Sequence, residues 1–310
     1  MKKDRQHHVW KAYLRAWATK DRLAVLQAGK IRTAHINDVA VQRHFYKLNL
    51  LSDEEITYIR KIWIEGSAKH LRPMHEKTLQ VFALPPRLRA ELTPEMVAAN
   101  PDHVKELDEL IINGEEDYHS NVENEIAPFI ERARNGDLSF LDDPKTATLI
   151  PYFIALQHFR TATMRERGFR SFKDKFGIDL TRCWNIIAHI LATNLGFTLY
   201  ADRRRGPLRL LENGTAVPFI TSDQPTVNIL GGNNMEKPPE HFALYYPISP
   251  RRALLLDDTD APCGIADAPI TDEVVKRLNS EVVRLSVRQV FAASKEELAP
   301  YLEVSEPTAV

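Results

Sequence analysis

A strongly hydrophobic stretch in the middle of the chain repeats at helical spacing. Leu149, Phe153 and Leu156 share one face of a predicted helix, and Gln157 and Arg160 continue the apolar surface of that helix. The pattern therefore places an amide and a guanidinium where burial is expected. Because a buried guanidinium without a partner costs free energy, the fold must supply a carboxylate or a ligand. This segment is the first candidate for a functional site.

Elsewhere the pattern predicts helices in the middle of the chain and strands towards its two ends. The predicted helices lie at 67–83, 94–112, 117–135, 144–166 and 180–200, with a short amphipathic helix between Val9 and Trp17 and a last helix from Thr271. The predicted strands are a hairpin at 23–26 and 31–34, and segments at 217–221, 242–246, 253–256 and 289–293. Asn113-Gly114 is expected to separate two helices, and Pro151 to kink or split another.

These elements predict an α+β fold: a central helical body with an N-terminal β-hairpin and a mostly antiparallel C-terminal sheet. We expect one domain over 1–310, because no Gly/Ser-rich or Pro-rich linker divides the chain. Its parts are an N-terminal helix and hairpin at 7–50, the helical body at 51–205, and the sheet with a closing helix at 206–295.

Charge and cysteine content narrow the function classes. The 41 Lys and Arg residues balance 42 Asp and Glu residues, so the whole protein has no field that attracts nucleic acid or an anionic membrane. The basic run at 203–205 fits a solvated helix end and a phosphate contact equally well. Cys183 and Cys263 match no metal or redox spacing. With no signal peptide or long apolar run, we expect a cytoplasmic protein without a membrane partner.

A second informative stretch is Thr221-Ser222-Asp223-Gln224-Pro225, where a predicted strand ends in a polar turn. Two interpretations are open for Asp223. The carboxylate could accept a backbone N–H within the turn. Alternatively it points into a cleft and pairs with Arg160, which would depress its pKa and keep it ionised as an anchor or metal ligand.

Several short motifs follow one another in a characteristic order. They are His7-His8, Phe45-Tyr46, Glu123 before Ala127-Pro128, Gln157-x-x-Arg160-Thr161, Phe219-Ile220-Thr221-Ser222-Asp223-x-Pro225, Pro247-Ile248-Ser249-Pro250 and Asn279. Together they resemble the bacterial domain-of-unknown-function family numbered 4238, over roughly residues 7 to 293. The sequence departs from the family pattern at Trp10-Lys11, Ala162 and Gln224. The family name carries no activity, and the resemblance implies only that the motif polar residues are His7, His8, Glu123, Gln157, Arg160 and Asp223.

Each motif residue also has a structural interpretation. His7 and His8 could cap the N-terminal helix, and since successive helical residues point about 100° apart, at most one of them reaches a shared site. Glu123 could be a surface carboxylate in a solvent-rich helix start, and Gln157 could satisfy a backbone group. Arg160 is either one half of a structural ion pair or a clamp for a substrate anion.

If these side chains meet, they suit general acid–base or metal-assisted hydrolysis of an anionic substrate, with Arg160 on a phosphate. We therefore predict a nuclease-like hydrolase acting on a nucleotide or nucleic acid in a bacterial phage-defence or toxin setting. The predicted catalytic residues are His7, His8, Glu123 and Asp223, and the predicted substrate-binding residues are Gln157, Arg160 and Asn228. A divalent cation is a candidate cofactor, with His8, Glu123 and Asp223 as one conceivable ligand set. A partner protein encoded nearby is a further candidate, and the oligomeric state is left open.

Two alternatives belong to other classes. In the first, the protein is a non-catalytic sensor or binding module in which the ion pair of Arg160 is architecture. In the second, Arg182 and His189 form the Arg-x6-His spacing of helical ribonuclease domains, where His acts on the ribose 2′-OH and Arg holds the phosphate. That alternative requires both side chains to be accessible to solvent together.

Overall fold

Helices form the middle of the chain and antiparallel strands lie towards its ends, which confirms the α+β prediction. The computed structural model describes residues 5–166, 180–203, 208–231, 241–257, 265 and 269–302. The α-helices are α1 (Lys11–Leu14), α2 (Asp53–Tyr58), α3 (Arg72–Glu91), α4 (Pro94–Ala99), α5 (Pro101–Arg134), α6 (Pro144–Phe159), α7 (Trp184–Ala201), α8 (Asp272–Leu285) and α9 (Lys295–Leu298). A π-helix at Ile59–Ile64 follows α2, and short 3₁₀ turns lie at Arg15–Trp17, Ile36–Asp38, Ser139–Asp142, Leu180–Cys183 and Ala299–Tyr301.

The described strands form three antiparallel sheets. The strands are β1 (Arg5–His7), β2 (Arg22–Gln27), β3 (Lys30–His35), β4 (Val41–Arg43), β5 (Leu208–Glu212), β6 (Thr221–Ser222), β7 (Val227–Asn228), β8 (Ala243–Ser249), β9 (Arg252–Asp257) and β10 (Val290–Ala292). β1 pairs with β4, a second sheet has the order β3-β2-β10-β6, and a third has the order β5-β9-β8-β7. The hairpin of β2 and β3 was predicted, whereas β5 was missed and the predicted strand at 217–221 is reduced to β6.

α5 is one helix of 34 residues where two were predicted. Asn113 and Gly114 lie inside it, because a single helical glycine costs only about 1 kcal/mol and the packing of Ile111 and Ile112 outweighs that cost. α3 likewise continues through Pro85 and Pro86, both of which are buried.

α6 begins as the sequence predicts and ends earlier. The side chain of Asp143 accepts a hydrogen bond from the Thr146 N–H at 2.9 Å, and Pro144 occupies the first helical position. Pro151 stays within the helix without splitting it. The helix ends at Phe159, so Arg160 is its C-cap and its side chain leaves from the helix end.

The N-terminal segment packs against the C-terminal part of the chain. Tyr13 Oη lies 2.6 Å from Thr221 Oγ1, and Trp17 Nε1 donates to the Phe219 carbonyl at 2.9 Å. β2 also pairs with β10. His7 lies in β1 and His8 follows it, so the expectation that both begin the N-terminal helix is wrong. These contacts hold the N-terminal segment against the strand region around β6.

None of the helices in the described ranges has both the length and the apolar character needed to cross a membrane.

α6 and α7 approach each other closely at Gly196. A Cβ added there would lie 2.6 Å from Tyr152 Cα and 2.9 Å from Tyr152 N, and backbone atoms cannot move aside. We expect Gly196→Ala to lower the free energy of unfolding by at least about 2 kcal/mol, measured by chemical denaturation. Gly114→Ala is the control, because its Cβ would meet only the flexible end of Leu110 at 3.1 Å. Equal stability of the two variants would contradict this packing.

Candidate functional site

The buried guanidinium of Arg160 has a carboxylate partner, as the sequence predicts, and that partner is Glu123. Arg160 Nη1 lies 2.6 Å from Glu123 Oε1, and the two side chains are 2% and 10% exposed. Arg160 Nε donates to the His8 carbonyl at 3.3 Å. The guanidinium carbon lies 6.0 Å from the centre of the Tyr46 ring. The ion pair thus joins α5, the end of α6 and the N-terminal segment.

The predicted pairing of Arg160 with Asp223 is wrong. The Asp223 carboxylate accepts three backbone hydrogen bonds, from the N–H groups of Val287 at 3.1 Å, Arg288 at 2.8 Å and Gln289 at 3.1 Å. The chain between α8 and β10 supplies these donors, so Asp223 accepts backbone N–H groups from a distant segment and not from its own turn. Burial raises the pKa of Asp223 to about 6, although the three donors act in the opposite direction.

Glu123 is buried, which corrects the interpretation that it sits in a solvent-rich helix start. α5 begins at Pro101, and Glu123 lies deep within it with 8% of its surface exposed. Burial raises the pKa of Glu123, and the neighbouring Arg160 opposes this rise. A carboxyl with a raised pKa next to a cation is suited to proton transfer.

Of the two N-terminal histidines, His8 is the one beside Arg160. His8 is 7% exposed, and its ring lies 5.2 Å from that of Phe45. Burial and the charge of Arg160 lower the pKa of His8 to about 3, so it is neutral at pH 7. His7 is less buried, and its pKa is lowered to about 4 by burial and Lys11.

The two predicted amides differ in their surroundings. Gln157 lies one turn before Arg160, and its buried Nε2 has no hydrogen-bond partner in the described part of the chain. Asn228 Oδ1 accepts from the N–H groups of Leu230 at 3.1 Å and Ala243 at 3.0 Å, which fixes the start of β8. The bonds of Asn228 Oδ1 are structural, but Asn228 Nδ2, like Gln157 Nε2, is buried without a hydrogen-bond partner among the described residues.

A second polar cluster, which the sequence-based prediction missed, consists of Glu115, His119 and His189. We call it the Glu-His-His cluster. Glu115 Oε1 lies 3.5 Å from His119 Nε2 and 3.4 Å from His189 Nε2. The two imidazole rings stack with centroids 5.3 Å apart and planes 17° apart. One ligand atom from each residue lies within 4.8 Å of the others, which fits a metal-binding group. The predicted ligand set of His8, Glu123 and Asp223 is not assembled, because Asp223 is bound to backbone amides.

Burial and neighbouring groups together set the protonation states of His119 and Glu115 in the Glu-His-His cluster. Burial and the charge of Arg160 lower the pKa of His119 to about 3, so this imidazole is neutral. Burial alone would raise the pKa of Glu115, but the two adjacent imidazoles outweigh burial and lower it. At neutral pH the cluster therefore offers a carboxylate and an imidazole lone pair.

The Glu-His-His cluster and the Arg160–Glu123 pair are neighbours. Glu115, His119 and Glu123 follow at steps of four along α5, which places them on one face. The Tyr46 ring lies between the two groups, 4.8 Å from the His119 ring. This Glu-x3-His-x3-Glu stripe was visible in the sequence. It was missed because the predicted break at Asn113-Gly114 left Glu115 outside the helix.

The Arg182–His189 ribonuclease alternative is wrong. Arg182 pairs with Glu55 at 3.1 Å and donates to the Leu50 carbonyl, with half of its side chain exposed. His189 is 4% exposed and packs on Phe82 with ring centroids 4.9 Å apart. The two side chains therefore present no common accessible surface.

The other sequence candidates add no site. Arg203 donates to the Tyr200 carbonyl at 2.9 Å and lies over the Tyr200 ring, while the rest of the basic run, 204–205, falls outside the described residues. Cys183 is a buried thiol, and Cys263 falls outside the described residues.

Comparison with known families agrees with the resemblance in the motifs. The family model described as "Protein of unknown function (DUF4238)" matches residues 5–180 and 196–296, and the chain belongs to this family. No curated protein and no solved structure matches the chain.

The neutral, buried imidazole of His8 predicts a dependence of stability on pH. Its pKa is about 3 in the folded protein and 6.5 without burial, so the unfolded chain binds a proton that the folded protein excludes. Above pH 6.5 the imidazole is neutral in both states, and its full contribution to the free energy of unfolding is present. That contribution is lost as the pH falls towards 3. Between pH 6 and 4, we expect this residue to account for about 1.4 kcal/mol of lost stability per pH unit.

Chemical denaturation of wild type and His8→Gln across this pH range measures the effect. The variant should show a shallower decline in unfolding free energy, while His103→Gln, at an exposed position of α5, should follow wild type. Identical slopes for His8→Gln and wild type would show that the imidazole is protonated in the folded protein.

Asp223→Asn tests the role assigned to this carboxylate. The amide keeps one acceptor oxygen but places an NH2 group against N–H donors, so we expect a loss of about 1–3 kcal/mol in unfolding free energy. Asp142→Asn, at an exposed position, is the control and should be neutral. A variant as stable as wild type would mean that the three hydrogen bonds contribute little.

Proposed function

We propose that the protein is a hydrolytic enzyme that acts on a phosphate-bearing substrate, a nucleotide or a nucleic acid, at the Arg160–Glu123 pair. The observation that carries this proposal is a buried guanidinium whose carboxylate partner is the more exposed of the two, at 10% against 2%. A ligand arriving from solvent would meet Glu123 first. An incoming anion could then replace that carboxylate on Arg160.

Unsatisfied polar atoms around the pair support a ligand site. His8 Nδ1 and Gln157 Nε2 are buried without hydrogen-bond partners in the described ranges. Arg160 Nη1 and Glu123 Oε1 are close to each other, but they are not aligned as a hydrogen bond. Buried polar atoms are normally paired, so an accumulation of unpaired ones needs an explanation. A bound phosphate, which accepts several hydrogen bonds, would satisfy the donors.

The chemistry follows from the exchange of partners on Arg160. A guanidinium binds two phosphate oxygens in a fork and stabilises the charge that develops on them during substitution at phosphorus. Glu123, released from the cation but still largely buried, gains a higher pKa and becomes a better base. It takes a proton from water as the water oxygen bonds to phosphorus. The bond from phosphorus to the leaving oxygen breaks, and that oxygen receives a proton from solvent.

The near-complete burial of the same pair favours a second candidate function, a non-catalytic binding module in which the pair is architecture. The pair connects three segments of the chain and is almost sealed from solvent. Removing one partner of such a pair leaves an uncompensated buried charge, which typically costs about 3–5 kcal/mol. Stability and activity measured on the same variant therefore distinguish the two candidates.

The decisive experiment is a screen of labelled nucleotides, RNA and DNA, with and without divalent cations, using wild type and Glu123→Gln. We expect wild type to release product and the variant to be slower by at least about 100-fold, because a general base contributes 10²–10⁴-fold. Glutamine keeps the shape of the side chain and one acceptor for Arg160, so the melting temperature should fall by only a few degrees.

Glu125→Gln is the matched control, since Glu125 lies two residues further along α5 and pairs at the surface with Lys145 at 3.1 Å. It should retain wild-type turnover. The proposal fails if wild type hydrolyses nothing in the screen. It also fails if folded Glu123→Gln turns over substrate as fast as wild type. If wild type shows no activity and Glu123→Gln loses about 3–5 kcal/mol in unfolding free energy, the architectural role is supported.

A further inference from the structure

We propose that Glu115, His119 and His189 bind a divalent transition-metal ion of the zinc class. This inference stands independently of the hydrolytic reaction at Arg160. Its basis is the arrangement of the Glu-His-His cluster between α5 and α7, where two elements that are far apart in sequence direct three metal-ligating side chains at one another.

The polar atoms of the cluster are not satisfied by one another. Glu115 Oε2, both nitrogens of His119, and His189 Nε2 are buried without a properly aligned hydrogen bond in the part of the chain that is described. The residues themselves are only 2–4% exposed, so bulk water does not hydrate them. Leaving these four atoms buried without aligned hydrogen bonds is costly. A cation at their centre would satisfy one atom from each residue at once.

The spacing of the ligand atoms fits such an ion. With metal–ligand bonds of about 2.0–2.2 Å, neighbouring ligand atoms of a tetrahedral site are about 3.3–3.6 Å apart. Glu115 Oε1 lies 3.4 and 3.5 Å from the two imidazole nitrogens. The remaining separation, between the two imidazole nitrogens, is at most 4.8 Å, so an inward movement of one imidazole by no more than about an ångström completes the site.

The donor set identifies the class of ion. Two imidazoles with one carboxylate suit Zn²⁺ and its transition-metal neighbours, whereas Mg²⁺ and Ca²⁺ prefer oxygen donors alone. Three protein ligands also leave a coordination position open, as in catalytic zinc sites. Within the described ranges, His119 Nδ1 has no outer hydrogen-bond partner of the kind that metal-bound histidines usually have, which predicts an affinity about 10–100-fold below that of a fully supported site.

Aromatic rings surround the cluster. Tyr46 packs on His119, and Phe82 and Tyr118 pack on His189 with ring centroids 4.9 and 5.0 Å apart. Tyr118 is 38% exposed and its hydroxyl lies 2.5 Å from that of Tyr152, so it forms the solvent side of this shell. The shell keeps water from the ion, which strengthens its interaction with Glu115.

The test uses the full chain, stripped of metal with a chelator and titrated with Zn²⁺ or Co²⁺ in a calorimeter. We expect one equivalent to bind and the melting temperature to rise with excess metal. Glu115→Gln and His189→Gln should each lose more than about 100-fold in affinity, beyond the 10–100-fold that loss of an outer partner costs.

His75→Gln is the matched control, because His75 is also a buried histidine but bonds to Asn194 at 2.9 Å, away from the cluster. It should bind metal like wild type. The absence of saturable binding by wild type overturns the proposal, as does equal affinity of wild type and the cluster variants.

If the cluster variants fail to fold, X-ray absorption of the wild-type complex decides. Two imidazoles among the atoms bound to the metal support the site, and oxygen or sulfur ligands alone overturn it.

Discussion

The ion pair of Arg160 and Glu123 is the constraint around which the middle of this protein is built. A guanidinium at the end of α6 faces the interior and can stay there only if a carboxylate meets it. That carboxylate fixes the rotation of α5, because Glu123 must point at α6. The same guanidinium also bonds the carbonyl of His8, which positions the start of the chain against both helices. One charged pair therefore sets the relative placement of three segments.

The sequence predicts this constraint, but of the two interpretations that it leaves open for Asp223, the pairing with Arg160 is wrong. The helical spacing before Arg160 is a local property, so the need for a buried carboxylate could be read directly from the chain. Which carboxylate meets it depends on contacts between distant segments. Asp223, at the end of a strand, is a suitable partner by its position, yet its carboxylate accepts hydrogen bonds from the backbone N–H groups of residues 287–289. These N–H groups are available as donors because the chain turns between α8 and β10. No local sequence pattern predicts this arrangement.

The Glu-His-His cluster was missed for a related reason. The family motifs contain neither Glu115 nor His189, and Asn113-Gly114 is a common helix breaker. Helix propensity is a weak preference that packing routinely overrides, and the buried residues on both sides of Gly114 keep α5 continuous. Only this continuity aligns Glu115 with His119 and Glu123. His189 then enters from α7, whose register against α5 is set by tertiary packing alone.

The two polar groups are also linked through their charges. Among the described residues, Arg160 pairs with Glu123, whereas the buried carboxylate of Glu115 lies against two imidazoles and pairs with no Lys or Arg side chain. A buried excess charge is costly. A divalent cation between Glu115 and the two imidazoles would compensate the carboxylate and add positive charge, and the Tyr46 ring connects this place with Arg160, 4.8 Å from the His119 ring and 6.0 Å from the guanidinium carbon. Positive charge attracts anions, so in the proposed function an occupied metal site would favour the exchange of Glu123 for a phosphate on Arg160.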